Sequence, residues 1–126
     1  MGTRGIFQVY DSRTNTYTYY YIHGDSLIVL KQLQKKLKTY KTIKSIRKAI
    51  AGQVADGTLR VDRLEVPGIN PYTPKDCWPF LEYSLTLKIF QESNRWEIHP
   101  VYECLEREFK LAKYQRSTVF HGSDSR

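Results

Sequence analysis

The sequence predicts an α+β domain: a mainly antiparallel sheet with helices packed on one face, in the order ββ-αα-β-ββ-α. Three observations carry that expectation. Two aromatic and β-branched segments open the chain on either side of a turn. Apolar residues then recur at helical spacing from Leu27 to Ile50. Further on, Leu81, Tyr83, Leu85, Leu87 and Ile89 alternate with Glu82, Ser84, Thr86 and Lys88, the period of a strand with two unlike faces.

Gly5 to Tyr10 and Thr16 to Ile22 form the opening hairpin, because Asp11-Ser12-Arg13-Thr14-Asn15 between them is turn chemistry. Alternation puts Tyr17, Tyr19 and Tyr21 on one face and Thr18, Tyr20 and Ile22 on the other. Gly24-Asp25-Ser26 ends the second strand and offers an Asp or Ser cap to a helix over Leu27 to Lys38. Thr39 to Thr42 breaks that helix, and Thr42 caps a second one through about Val54. Asp56-Gly57 turns the chain into a strand over Thr58 to Val66, whose alternation slips near Arg63, as at a bulge or an edge.

Pro67 to Pro79, rich in proline, is a surface loop. The strand centred on Leu85 turns at Glu92-Ser93-Asn94 into a partner around Trp96 to His99. A last helix begins near Val101 or Tyr102 and runs to about Tyr114, with Leu105, Phe109 and Ala112 on its apolar face. The chain thus reads as one domain over residues 1–115, followed by a flexible polar tail over 116–126.

Charge points to partners more than to chemistry. The net charge is +7, with a pI near 9.4, which favours nucleic acid, anionic surfaces or acidic proteins. Between Ser26 and Ala55 the cations are Lys31, Lys35, Lys36, Lys38, Lys41, Lys44, Arg47 and Lys48, and there is no anion. A merely solubilising helix usually mixes signs, since Glu–Lys pairs four apart support it. A phosphate-binding face has no use for carboxylates. The candidate nucleic-acid contacts are therefore Lys31, Lys35, Lys38, Lys41, Lys44, Arg47 and Lys48, with Tyr17, Tyr19 or Tyr21 adding a stacking platform for bases, although core and sheet packing is the commoner role of such tyrosines. Lysine outnumbers arginine here, which fits backbone contact better than bidentate base reading. A helix-turn-helix is disfavoured because the turn lacks glycine and the apolar spacing does not match.

Catalytic signatures are sparse. GxSxG, HExxH, Walker and GxGxxG motifs are absent, and the expectation is a non-enzymatic protein without cofactor or metal. His23 and Asp25, two apart at a strand end, have the placement of loop-borne site residues, but most such pairs are capping or surface residues. Glu103, Glu106 and Glu108 on the last helix are opposed by Lys110 and Lys113, so they read as a solvated face. Cys77 and Cys104 have no zinc spacing and read as reduced thiols. With no basic-then-apolar leader and no apolar run near about 20 residues, the expectation is a cytoplasmic protein with no membrane partner.

Two resemblances add to this reading. Met1-Gly2-Thr3-Arg4-Gly5, then Tyr21-Ile22-His23-Gly24-Asp25, resembles small bacterial and phage proteins that open Met-x-Thr-Arg and continue through a hairpin to Tyr-x-His-x-Asp and a helix. The resemblance covers about the first thirty residues and implies an accessory protein of a phage or mobile element. Gly5-Ile6-Phe7 and Tyr21-Ile22-His23-Gly24 resemble the two strand motifs of GIY-YIG nucleases, with Ile46 to Gly57 and Leu59 to Val66 as the later helix and strand. That resemblance implies metal-dependent phosphodiester cleavage, with Glu106 or Glu108 as metal ligand. Phe7 stands in place of one tyrosine, and Lys35 or Lys36 in place of the arginine. The functional expectation is thus DNA or RNA binding. A module docking an acidic protein partner and a GIY-YIG-like nuclease are the alternatives.

Overall fold

The computed structural model describes residues 4–67, 82–103 and 117–122. In chain order these form β1 (Arg4–Asp11), β2 (Thr16–His23), α1 (Ser26–Leu37), α2 (Ile43–Ala55), β3 (Arg60–Pro67), β4 (Tyr83–Phe90), β5 (Arg95–Ile98), β6 (Tyr102–Glu103) and β7 (Thr118–His121). Among the described residues the strands make one sheet, ordered β3-β2-β1-β4-β5-β7, with β6 also pairing β4. The β1–β4 pair is parallel and the other pairs are antiparallel. The α+β class with a mainly antiparallel sheet is therefore as the sequence predicts. The proline-rich loop, both cysteines and Glu106 and Glu108 lie outside the described residues.

The hairpin keeps the expected parity. Phe7, Val9, Tyr20 and Ile22 face the helices, in one core with Leu85, Leu87, Ile89, Trp96 and Ile98. Ile6, Tyr17 and Tyr19 form a separate cluster on the opposite face, with Tyr10 and Tyr21 against it. Among the described residues β3 is an edge strand, and its register slips between Tyr17 and Tyr19, where those residues pair with Val66 and Asp62. Both the bulge and the edge position anticipated near Arg63 are present.

α1 buries Leu30, Leu33 and Leu37 against β1, β4 and β2. Each such side chain contributes about 1.5–3 kcal/mol of transfer free energy. Gly5 permits the close fit: a Cβ there would lie 2.7 Å from Ser26 Cβ, so any side chain would push the first turn of α1 off the strand. The Gln34 side-chain amide donates to the His99 carbonyl (3.2 Å) and pins the middle of the helix to the sheet. α2 buries Ile43, Ile46 and Ile50, and Thr42 caps it by accepting from the Ser45 N–H at 3.1 Å. At its far end Gly57, with φ 85°, takes the left-handed turn that follows many helices.

Three features differ from the sequence reading. Tyr102 and Glu103 do not start a helix; they pair with Ser84 and Tyr83 of β4. The β5–β6 side carries one residue more than β4 between the Ile98 and Tyr102 pairs, a bulge at His99-Pro100. Pro100 has no N–H to offer a ladder, and His99 N–H reaches the Thr86 carbonyl at 2.9 Å. The helical apolar spacing starts only at Leu105, so nothing claims 102–103 for a helix. Second, Thr118–His121, expected in a flexible tail, is strand β7 on β5, where Phe120 stacks on Trp96 with ring centroids 6.0 Å apart. Third, the alternation of β4 does not divide a buried from an exposed face: Gln8 donates to Thr86 at 2.9 Å across the β1–β4 pair, and Ser84 is fully enclosed.

Candidate nucleic-acid interface

The helical repeat sorts the cations of α1 and of its C-cap, Lys38. Lys31, Lys35 and Lys38 follow one another at i, i+4 and i+7, on the side away from Leu30, Leu33 and Leu37. All three are exposed. Ile28 lies on the same stripe and is 57 % exposed. Lys36 sits on another flank, where its charge reaches Asp56, a carboxylate held low chiefly by its hydrogen bonds to Thr58.

On α2, Lys44 and Lys48 make a second exposed stripe, and exposed Lys41 stands in the connection between the helices. Among the described residues, none of Lys31, Lys35, Lys38, Lys41, Lys44 and Lys48 forms an ion pair with a carboxylate.

Arg47 behaves differently. It lies between the lysine stripe and the buried isoleucines, half-buried, and donates to Asp11 (3.0 Å) and to the Gln91 side-chain carbonyl (3.1 Å). Burial pushes the Asp11 carboxyl up, but hydrogen bonds from the Arg13 backbone N–H and from the Arg47 guanidinium outweigh it and hold the group below its ordinary range. Arg47 is therefore a neutralised structural cation rather than one more free charge of the lysine face.

The tyrosine platform also divides. Tyr17 and Tyr19 are buried, their rings stacked on each other with centroids 6.2 Å apart, and Tyr21 packs against the same cluster. Tyr17 and Tyr19 thus offer no ring face to a base, and they lie on the sheet face opposite the lysines. Parity separates the GIY-YIG positions too: Phe7 faces the helices and Tyr21 the other side, so these two aromatics do not converge on one site.

Asp25 occupies the N-cap of α1 in a left-handed conformation, exposed, with no side-chain cap bond. His99 is half-buried beside Lys88. Burial and that charge push its pKa down against the pull of Glu97, 3.7 Å away, so the imidazole is neutral at pH 7. Among the described residues no three His, Cys, Asp or Glu side chains gather as a metal site, and no helix is long and apolar enough to cross a membrane.

Sequence reasoning missed a cleft of about 210 Å³ between α2 and the sheet. Its floor is Val9, Tyr20 and Ile89, and Ile50 and Ala51 form the helix wall. Asp11, Thr18 and Arg47 supply the polar groups. The available signal was parity: Asp11 sits two residues beyond core-facing Val9, so its carboxylate points toward the helix layer, where the lone arginine among lysines can meet it.

Comparison with protein-family models, with curated proteins and with solved structures finds no match to this chain.

Proposed function

We propose that this protein binds nucleic acid without catalysing a reaction on it, through Lys31, Lys35, Lys38, Lys41, Lys44 and Lys48 of the helical layer. One observation supports the reading above the others: these six ammonium groups are exposed, and no carboxylate among the described residues pairs with them. Unpaired ammonium groups gain most from a ligand whose condensed counterions they release. The contact is to phosphates, and it grips the backbone irrespective of sequence. Such a grip suits an accessory protein of a phage or mobile element, as the amino-terminal resemblance implies.

Fluorescence anisotropy with labelled DNA and RNA across a salt series tests this. The logarithm of the affinity should fall linearly with the logarithm of salt concentration, with a slope steeper than about −2. Lys35→Glu combined with Lys44→Glu should flatten that slope by about two and weaken every sequence alike. Affinity that stays level with salt rules the mechanism out.

An acidic protein partner is the second reading, favoured by Ile28, an exposed apolar side chain set in the lysine stripe of α1. A pull-down partner that persists after nuclease treatment and is lost with Ile28→Asp would select it.

A further inference from the structure

Resting on the reading of the lysine face as a nucleic-acid interface, we infer that the cleft between α2 and the sheet receives one unstacked base of a single strand whose phosphates lie on Lys44 and Lys48. Position comes first. Ala51, in the cleft wall, continues the Lys44–Lys48 stripe at i+7 and i+3, so the mouth opens beside those ammonium groups. A polyanion held there brings whatever hangs from its backbone to the cleft.

Size narrows the guest. The volume is about 210 Å³. A cavity of about 150 Å³ admits benzene, and drug-sized pockets begin near about 300 Å³. The cleft therefore suits a single ring with its substituents. A base inside a duplex is stacked and paired, and it reaches such a site only by flipping out. A single strand presents its bases without that cost.

Chemistry agrees with a base. Val9, Ile50, Ile89 and the Tyr20 ring supply apolar and π surface. At the edge, Arg47 carries five N–H donors, of which the Asp11 and Gln91 bonds use two. The remainder can reach a base carbonyl. The Thr18 hydroxyl makes no hydrogen bond among the described residues and serves as donor or acceptor. Asp11 is a positioning residue, holding the guanidinium at the mouth. The cleft thus adds what lysines alone do not have, a preference for single strands over duplex.

The test uses oligothymidylate and oligouridylate of about 12 nucleotides, an abasic strand of equal length and a duplex, each titrated at one salt concentration. The wild type should bind the thymidylate or uridylate strand roughly tenfold tighter than the abasic strand or the duplex. Ala51→Phe, placed at an exposed helix position in the cleft wall, should abolish that advantage. The abasic comparison needs no variant, so a misfolded Ala51→Phe does not remove the test. Equal wild-type affinity for abasic and thymidylate strands, or an advantage that survives in folded Ala51→Phe, overturns the cleft assignment while the lysine interface stands. Wild-type protein that binds none of the four ligands at low salt overturns both.

Discussion

α1 and α2 each carry three cations, and they meet the sheet in different ways. α1 lies tight on the strands, with Ser26 against Gly5 and Leu30, Leu33 and Leu37 sealed beneath it. α2 buries its isoleucines but leaves a cleft under Ile50 and Ala51, and it turns one cation inward to a carboxylate. A cation in the sequence is a free charge for phosphates only if no carboxylate in the fold claims it. The planar fork of Arg47 is claimed by Asp11 and Gln91. The lysines, compact and strongly hydrated, are left to solvent.

The largest effect that would break this comparison is in packing. Leu30→Ala removes a fully enclosed side chain from beneath α1 and should cost about 3–5 kcal/mol. Ile50→Ala trims the wall of an open cleft, adds no dry void, and should cost about 2 kcal/mol. Urea denaturation measures both. Equal losses would mean that α2 sits as tightly as α1.

A smaller effect is in acid. The folded-state pKa of Asp11 lies below its ordinary value of 3.8. The charged carboxylate therefore contributes stability above that value, and the contribution is lost as pH falls through the lower folded pKa. Asp11→Asn should cost up to about 1 kcal/mol at neutral pH. It should also make the loss of stability below about pH 4 shallower than in wild type. The corresponding change on α1, Lys31→Gln, should leave that acid limb as it is. An acid limb unchanged in Asp11→Asn would show that the Arg47 pair contributes nothing to folding.

The elements with a strong period were legible. The hairpin, both helices, the Thr42 cap and the β4–β5 turn follow from spacing and turn residues, and the edge bulge in β3 was visible as a slip in alternation. What escaped was set by long-range pairing. No local signal places β4 parallel to β1, and none announces that Ser84 and Thr86, the polar residues of its alternation, are buried. β7 has only Thr-Val-Phe-His to announce it, too short to outweigh its polar surroundings. In the site, exposure of the lysines was readable from the helical period. The withdrawal of Arg47 was not, because it depends on Asp11 and Gln91, far away in sequence, and alternation placed Tyr17 and Tyr19 on one face of the hairpin without saying that the face is buried.

The smallest effect lies in the helix starts, where the two helices again diverge. Thr42 is extended, with φ −137°, and its hydroxyl serves the Ser45 N–H, so Thr42→Ala should cost about 1 kcal/mol. Asp25 holds the same position on α1 with φ 46° and no side-chain cap bond. A glycine there would relieve the left-handed strain, worth about 1 kcal/mol for a residue with a Cβ. It would also loosen the unfolded chain by a comparable about 0.5–1 kcal/mol and remove a carboxylate from a helix N-terminus, a loss of about 0.3 kcal/mol at an exposed site. These contributions nearly cancel, so Asp25→Gly should melt within about 0.5 kcal/mol of wild type. A loss as large as that of Thr42→Ala would mean that the Asp25 carboxylate does cap α1 in solution, and the contrast between the two helices would then be confined to the cleft and to Arg47.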